Sequence, residues 1–374
     1  MLSSICMGCT RQEKYRSEMD IWLQEANFDA KVSEDELYQA AKEEDVLKVY
    51  TVSSRLFDVA ESFQKQYPEL LVEVIYDRAE EIKEKIVQNA EKKGADCDLI
   101  FITNGDGSLT EELIPNGLVY KYIPYDMKNH MREGSSEEYL SVLLEVSLLT
   151  FNDQYYDEPP IRNWWELTEE KWRGKVYITD PSRSMISYTM FAMFVKHTKE
   201  MEEYYEEYFG KKFESESGES AGETFIRLLI ENDIQVVNDS DDVASAIAAP
   251  GSESSAVGIL NASKLRLREQ GYPMQVCYEL NPFAGVINPA NIMVVGGTKN
   301  VNTAKLFVRW ILGEVDGAGD GYKPFLQEGA WPSRVDVTGD ASRKLEDIKA
   351  IYTDEKFAYE YREKFLDFWN AHFE

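Results

Sequence analysis

Three short apolar runs in this 374-residue chain each stop at a cluster of small polar residues. Leu47-Lys48-Val49-Tyr50-Thr51-Val52 stops at Ser53-Ser54-Arg55, and a periodic helical segment follows through Phe63. Asp98-Leu99-Ile100-Phe101-Ile102 stops at Asn104-Gly105-Asp106-Gly107-Ser108. After Trp172-Arg173-Gly174-Lys175, the run Val176-Tyr177-Ile178 turns at Thr179 to Ser184, and Met185 to Val195 continues with helical character. Strand, polar turn and helix in repeated order predict a parallel sheet. The turns then gather at the carboxyl ends of the strands, where open α/β sheets bind ligands. A helix N-terminus presents unpaired N–H groups and the positive end of the helix dipole. Serine hydroxyls and an arginine beside it make an anion pocket. Ordinary capping is the competing account of each turn, since Ser and Asp are favoured caps.

The chain is long enough to form more than one domain. Its hydrophobic content of 43% is that of a folded protein. A net charge of −28 excludes a nucleic-acid binder, which needs basic patches against phosphate. It also sets a tension, because an anionic ligand must approach through a negative field. Arg55 and Arg183 are the local cations that would overcome it. No apolar run reaches the roughly 18 residues of a membrane-spanning helix. Cys97 and Cys277 are isolated and read as core thiols. Cys6 and Cys9 form Cys-x-x-Cys without a second ligand pair or a thioredoxin context. Ile5, Cys6, Met7 and Gly8 precede Cys9 as residues precede a lipidated cysteine, so Cys9 is the expected anchor and Cys6 the alternative.

Residues 1–32 are polar and unpatterned and read as a tether with some helix. Residues 46–145 alternate strand and helix. The apolar run Leu140 to Phe151 switches to Asn152-Asp153, marking a first crossing, and Tyr278 to Pro282 marks a return. Residues 33–148 with 281–374 are expected to form one lobe and 149–280 the other. The C-terminal Asp347 to Phe373 reads as aromatic-rich amphipathic helix.

Gly218-Glu219-Ser220-Ala221-Gly222 matches the nucleophile-elbow pattern but lacks the apolar strand that motif requires. The three histidines, His130, His197 and His372, sit among polar neighbours. Phosphate-loop and His-Glu-x-x-His motifs are absent.

Longer segments carry a family likeness. They are Leu37 to Asp45 followed by Val49-Tyr50, then Phe63 to Pro68 with Val72-Glu73-Val74. Next come Trp172 to Val176 with Asp180-Pro181 and Ser184. Asn288 to Val294, Lys299-Asn300 and Ala304 to Phe307 complete the set. In this order and spacing, from Leu37 to Val337, the chain resembles an extracytoplasmic solute-binding protein of an ABC importer, in the branch of ferric-iron and small-anion binders. The resemblance implies an α/β, two-lobe periplasmic-binding-protein-like fold (type II), hinged on two crossing segments. It implies a monomer outside the cytoplasmic membrane that hands a small solute to a permease, with no cofactor.

Ferric binders of that family use neighbouring tyrosines in the second lobe. The corresponding stretch here, Val257 to Lys264, has none; Tyr155-Tyr156 and Tyr204-Tyr205 lie elsewhere. The expected ligand is therefore a small anion such as a phosphorylated sugar or phosphonate, held by Ser53, Ser54 and Arg55 against Ser182, Arg183 and Ser184. Asn104, Asp106, Asp241 and Asn261 are the candidates for its hydroxyls. Ferric iron is the alternative cargo, and an enzyme or sensor on the same fold the alternative class.

Overall fold

The computed structural model describes residues 18–92, 96–215, 218–314, 319–339 and 343–373. Cys6 and Cys9 lie outside them. The first half contains α1 (18–26), α2 (Glu34–Ala41), β1 (Leu47–Thr51), α3 (Arg55–Gln66), β2 (Val72–Tyr76), α4 (Ala79–Lys92), β3 (Leu99–Thr103) and β4 (Val119–Tyr120). Strand β5 (Leu140–Asn152) leads into the second half. That half contains β6 (Val176–Thr179), α5 (Met185–Lys196), α6 (Thr198–Phe209), α7 (Ala221–Glu231), β7 (Gln235–Val237), α8 (Ser240–Ala248), β8 (Val257–Asn261) and β9 (Met274–Val276). Strand β10 (Gly285–Val295) returns, followed by α9 (Val301–Ile311), β11 (Ala330–Pro332), β12 (Ala350–Tyr352) and α10 (Glu355–His372).

The two halves mirror one another. On one side the strand order is β2-β1-β3-β10-β5, and on the other β5-β8-β6-β7. Within each half the leading strands pair in parallel, and β10 and β5 run antiparallel to them. The sequence marks a break near 145–152, yet the hydrogen-bond ladder does not break there. β5 is 13 residues long, so 140–148 pair with β10 while 147–151 pair with β8. One strand thus belongs to both lobes of the α/β fold, and β10 runs back beside it.

The inner parallel strands β3, β6 and β8 are largely buried on both faces and correspondingly apolar, whereas β2 and β7 at the sheet edges are only half-buried. Helix α5 is apolar all round, as a helix enclosed by other elements must be. It packs against α7 and α10: Tyr188 and Phe191 meet Phe365, and Phe191 meets Trp369. Two expectations differ here. The span 281–374 is assigned from sequence to the first lobe, but α10 joins the second half's core through this aromatic face. Residues 18–32, expected as tether, dock on the first half. Trp22 packs against Phe28 and donates its indole N–H to the Thr298 carbonyl at 2.8 Å. Aromatic burial outweighs the polar composition of this stretch.

Candidate functional site

The strands β1, β3 and β6 all end in threonine, and the turns beyond β1 and β6, with Thr103 at the end of β3, line one cleft. The cleft comprises two adjoining hollows of about 420 Å³ each. Val52, Thr103, Glu145, Ile186 and Asn261 line both.

The first hollow is cationic. Arg55, Lys264 and Arg266 line it, against the carboxylates of Asp58 and Glu145. Ser53 and Ser54 also line it, at the N-terminus of α3, and neither hydroxyl has a hydrogen-bond partner among the described residues. Arg55 is tightly held. Its Nη2 donates to Glu145 Oε1 at 3.1 Å. The Gln327 amide, with its oxygen turned to the guanidinium, accepts from Arg55 Nε at 2.7 Å and Nη2 at 2.6 Å. Burial, and next the like charge of Arg55, lower the Arg266 guanidinium from its ordinary value.

Glu145 is the node between the halves. It accepts from Arg55 on α3, from Asn261 Nδ2 at 2.9 Å and from Ser263 Oγ at 2.8 Å. Asn261 in turn accepts from Ser147 Oγ at 2.9 Å. The second hollow is acidic: Asp77, Glu80, Asp180 and Asp239 outnumber Arg78 and Arg183 there. Arg183 is exposed and makes no ion pair or side-chain hydrogen bond among the described residues. Ser184 accepts from Thr179 Oγ1 at 2.6 Å.

Six of the ten sequence-derived candidates line the cleft: Ser53, Ser54, Arg55, Arg183, Ser184 and Asn261. Four do not. Ser182 lies outside the lining, and its backbone carbonyl accepts from Arg362 Nη2 at 3.2 Å. Asn104 is buried as a local cap, accepting from Leu109 N at 2.7 Å. Asp106 neutralises the buried Lys83 at 2.6 Å; burial raises its carboxyl, but Lys83 and Ser108 outweigh that and hold it low. Asp241 is exposed and acts indirectly, pairing with Lys264, which does line the cleft. The sequence reading missed Glu145, Lys264, Arg266 and Gln327. One signal was available: Glu145 is the single charged residue within Leu140–Asn152.

The enzyme-like motif resolves as capping. Ser220 caps α7, accepting from Glu223 N at 3.2 Å, while its own N–H donates to Glu223 at 2.9 Å. Tyr155-Tyr156 and Tyr204-Tyr205 do not line the cleft; its only tyrosine among the described residues is Tyr76. Cys97 and Cys277 are buried free thiols, and burial pushes both up from the ordinary thiol value.

The family described as bacterial extracellular solute-binding protein matches residues 58–344. No curated protein sequence matches the chain. Among solved structures, the periplasmic binding protein AfuA from Actinobacillus pleuropneumoniae, with fructose-6-phosphate bound, is 19% identical. The match covers 88% of this chain and 98% of that one, with a TM-score of 0.67. Iron-bound HitA from Pseudomonas aeruginosa is 15% identical over 88% and 99% of the chains, with a TM-score of 0.68. The Atu4243-GABA receptor is 14% identical over 88% and 98%, with a TM-score of 0.64. At such identities the likeness is one of fold: two lobes of the type II periplasmic binding proteins.

Proposed function

Because the chain belongs to the bacterial extracellular solute-binding protein family, we propose that its cleft captures a small organic anion, such as a phosphorylated sugar or a phosphonate, for the permease of an ABC importer. The observation that carries this reading is the cationic hollow, where Arg55, Lys264 and Arg266 stand beside two serine hydroxyls that have no partner among the described residues. Such hydroxyls at a helix N-terminus, with fixed guanidinium groups, suit phosphate oxygens. The acidic hollow next to it offers acceptors for the hydroxyl or amine groups of the same ligand. Closure of the lobes about β5 and β10 would bury the ligand between them. The role is binding rather than catalysis, carried out by a monomer.

A thermal-shift screen against hexose phosphates, organophosphonates, carboxylates, ferric citrate and polyamines tests the reading. A ligand that binds only the folded state raises the melting temperature with its concentration. Stabilisation by an organic phosphate or phosphonate is expected. Tight ferric binding with a tyrosinate charge-transfer band would replace this reading with the metal one.

Location carries a second proposal: the mature chain is lipid-anchored through Cys9, outside the cytoplasmic membrane. The support is the sequence around Cys9 and the absence, among the described residues, of a helix long and apolar enough to span a bilayer. Labelling with a fatty-acid probe decides it; incorporation that survives the joint Cys9→Ala and Cys6→Ala replacement rejects the anchor.

A further inference from the structure

We infer that Glu145 is a specificity-determining residue which keeps bare inorganic anions off Arg55 and admits anions that bring a hydroxyl or amine donor with them. The inference rests on the organic-anion reading of the cleft and deepens it.

The geometry supplies three steps. First, Glu145 already occupies donors that an anion needs. Its Oε1 accepts from Arg55 and from Ser263 Oγ, and its Oε2 from Asn261 Nδ2. An incoming phosphate therefore meets a fixed negative charge at the guanidinium it seeks. Like charges brought together oppose binding. The cost is not screened away, because the Glu145 side chain is only 13% exposed.

Second, Glu145 is not required to aim Arg55. Gln327 accepts from both Nε and Nη2 of that guanidinium, so its orientation persists if the Glu145 charge is removed. The carboxylate therefore acts on the ligand by its charge and its acceptor capacity.

Third, Glu145 has acceptor capacity to spare. An ionised carboxylate offers about four lone-pair sites. Oε1 uses two and Oε2 one, and the residue lines both hollows. A hydroxyl or ammonium group in the ligand fills the remaining site and offsets the repulsion. Sulfate, which carries no proton at neutral pH, leaves that site unfilled.

Calorimetry on the full chain with sulfate, fructose-6-phosphate and an aminoalkylphosphonate tests this. For Glu145→Gln, sulfate should bind about tenfold tighter than to wild type, while the preference for the organic ligands narrows. A residue with a merely structural role would not raise affinity for sulfate. Gln327→Glu is the converse variant. It adds a second carboxylate against Arg55 and should weaken sulfate more than the organic anions. If Glu145→Gln leaves sulfate affinity unchanged or lowers it, with organic anions still bound by wild type, the selectivity role is overturned and the organic-anion reading stands. If Glu145→Gln fails to fold, unchanged discrimination in Gln327→Glu overturns the role. If wild type binds none of the three, both readings fall together.

Discussion

Two turns of this protein look alike in sequence and differ in the fold. Ser53-Ser54-Arg55 and Ser182-Arg183-Ser184 each follow a parallel strand and precede a helix. In the first, both hydroxyls face the cleft and Arg55 is clamped between Glu145 and Gln327. In the second, Ser182 lies outside the cleft lining, Ser184 is bonded to Thr179, and Arg183 is exposed without a side-chain partner among the described residues. The comparison teaches that residue type does not make a binding group; preorganisation does. A held guanidinium has already lost its side-chain freedom on folding, whereas a free one must lose it on binding.

The sharpest way to break this comparison is to truncate each arginine. Arg55→Ala should weaken an organic anion roughly ten- to a hundredfold, the scale of one charge-assisted bidentate contact of about 1.5–3 kcal/mol. It should also reduce stability, because Glu145 then keeps a buried charge without its cation. Arg55→Lys should recover little, since an ammonium cannot span Glu145 and Gln327 with the same fork. Calorimetry and a denaturant titration measure the two effects. Equal binding losses in Arg55→Ala and Arg183→Ala would erase the distinction between the turns.

Arg183→Ala should cost only a few-fold, as an exposed charge acting through solvent contributes on the order of 1 kcal/mol or less. Here Arg183→Lys should restore most of the loss, because position matters less than charge. Raising salt from low to physiological strength should shrink the Arg183 effect and leave the Arg55 effect nearly intact. Affinity measured for both alanine variants at two ionic strengths checks this.

The sequence makes one side of this contrast legible and hides the other. Apolar runs followed by Ser, Asn, Asp and Gly announce strand, turn and helix, so β1, β3, β6 and their turns are found by local chemistry alone. Local chemistry also explains the misses. Asn104 and Asp106 are turn residues whose side chains are consumed by Leu109 N and by the buried Lys83, and no spacing rule reveals Lys83 as the partner. Gln327 reaches the cleft by meeting Arg55, far back in the chain, and Lys264 and Arg266 follow β8, which only its pairing with β5 sets beside the cleft. Glu145 stands out as a charge in an apolar strand, yet only the β5–β8 register shows that it meets Asn261 and Ser263. The aromatic face of α10 is visible as periodicity, but not which half it covers.

A second pair of carboxylates sharpens the lesson with the smallest effect. Glu145 is mostly buried beside a cation; Glu355 is half-buried with no ion pair among the described residues. Glu355 Oε1 accepts from Tyr139 at 2.6 Å and Oε2 from Thr110 at 3.2 Å. Burial dominates and pushes its carboxyl up to about 7 from an ordinary 4.5; these hydrogen bonds and one from Asn104 oppose the rise, and the charge of Glu138 adds to it. Between those two values the folded chain keeps a proton that the unfolded chain releases. Stability therefore falls as pH rises through that window and levels off above it. Glu355→Gln keeps the shape and removes the ionisation. The variant should match wild type near pH 4, in the range where both side chains are neutral, and melt about 2 °C higher near pH 8. Melting curves across this range decide the matter: parallel pH profiles for the two proteins would mean that Glu355 ionises in the folded state as readily as in water.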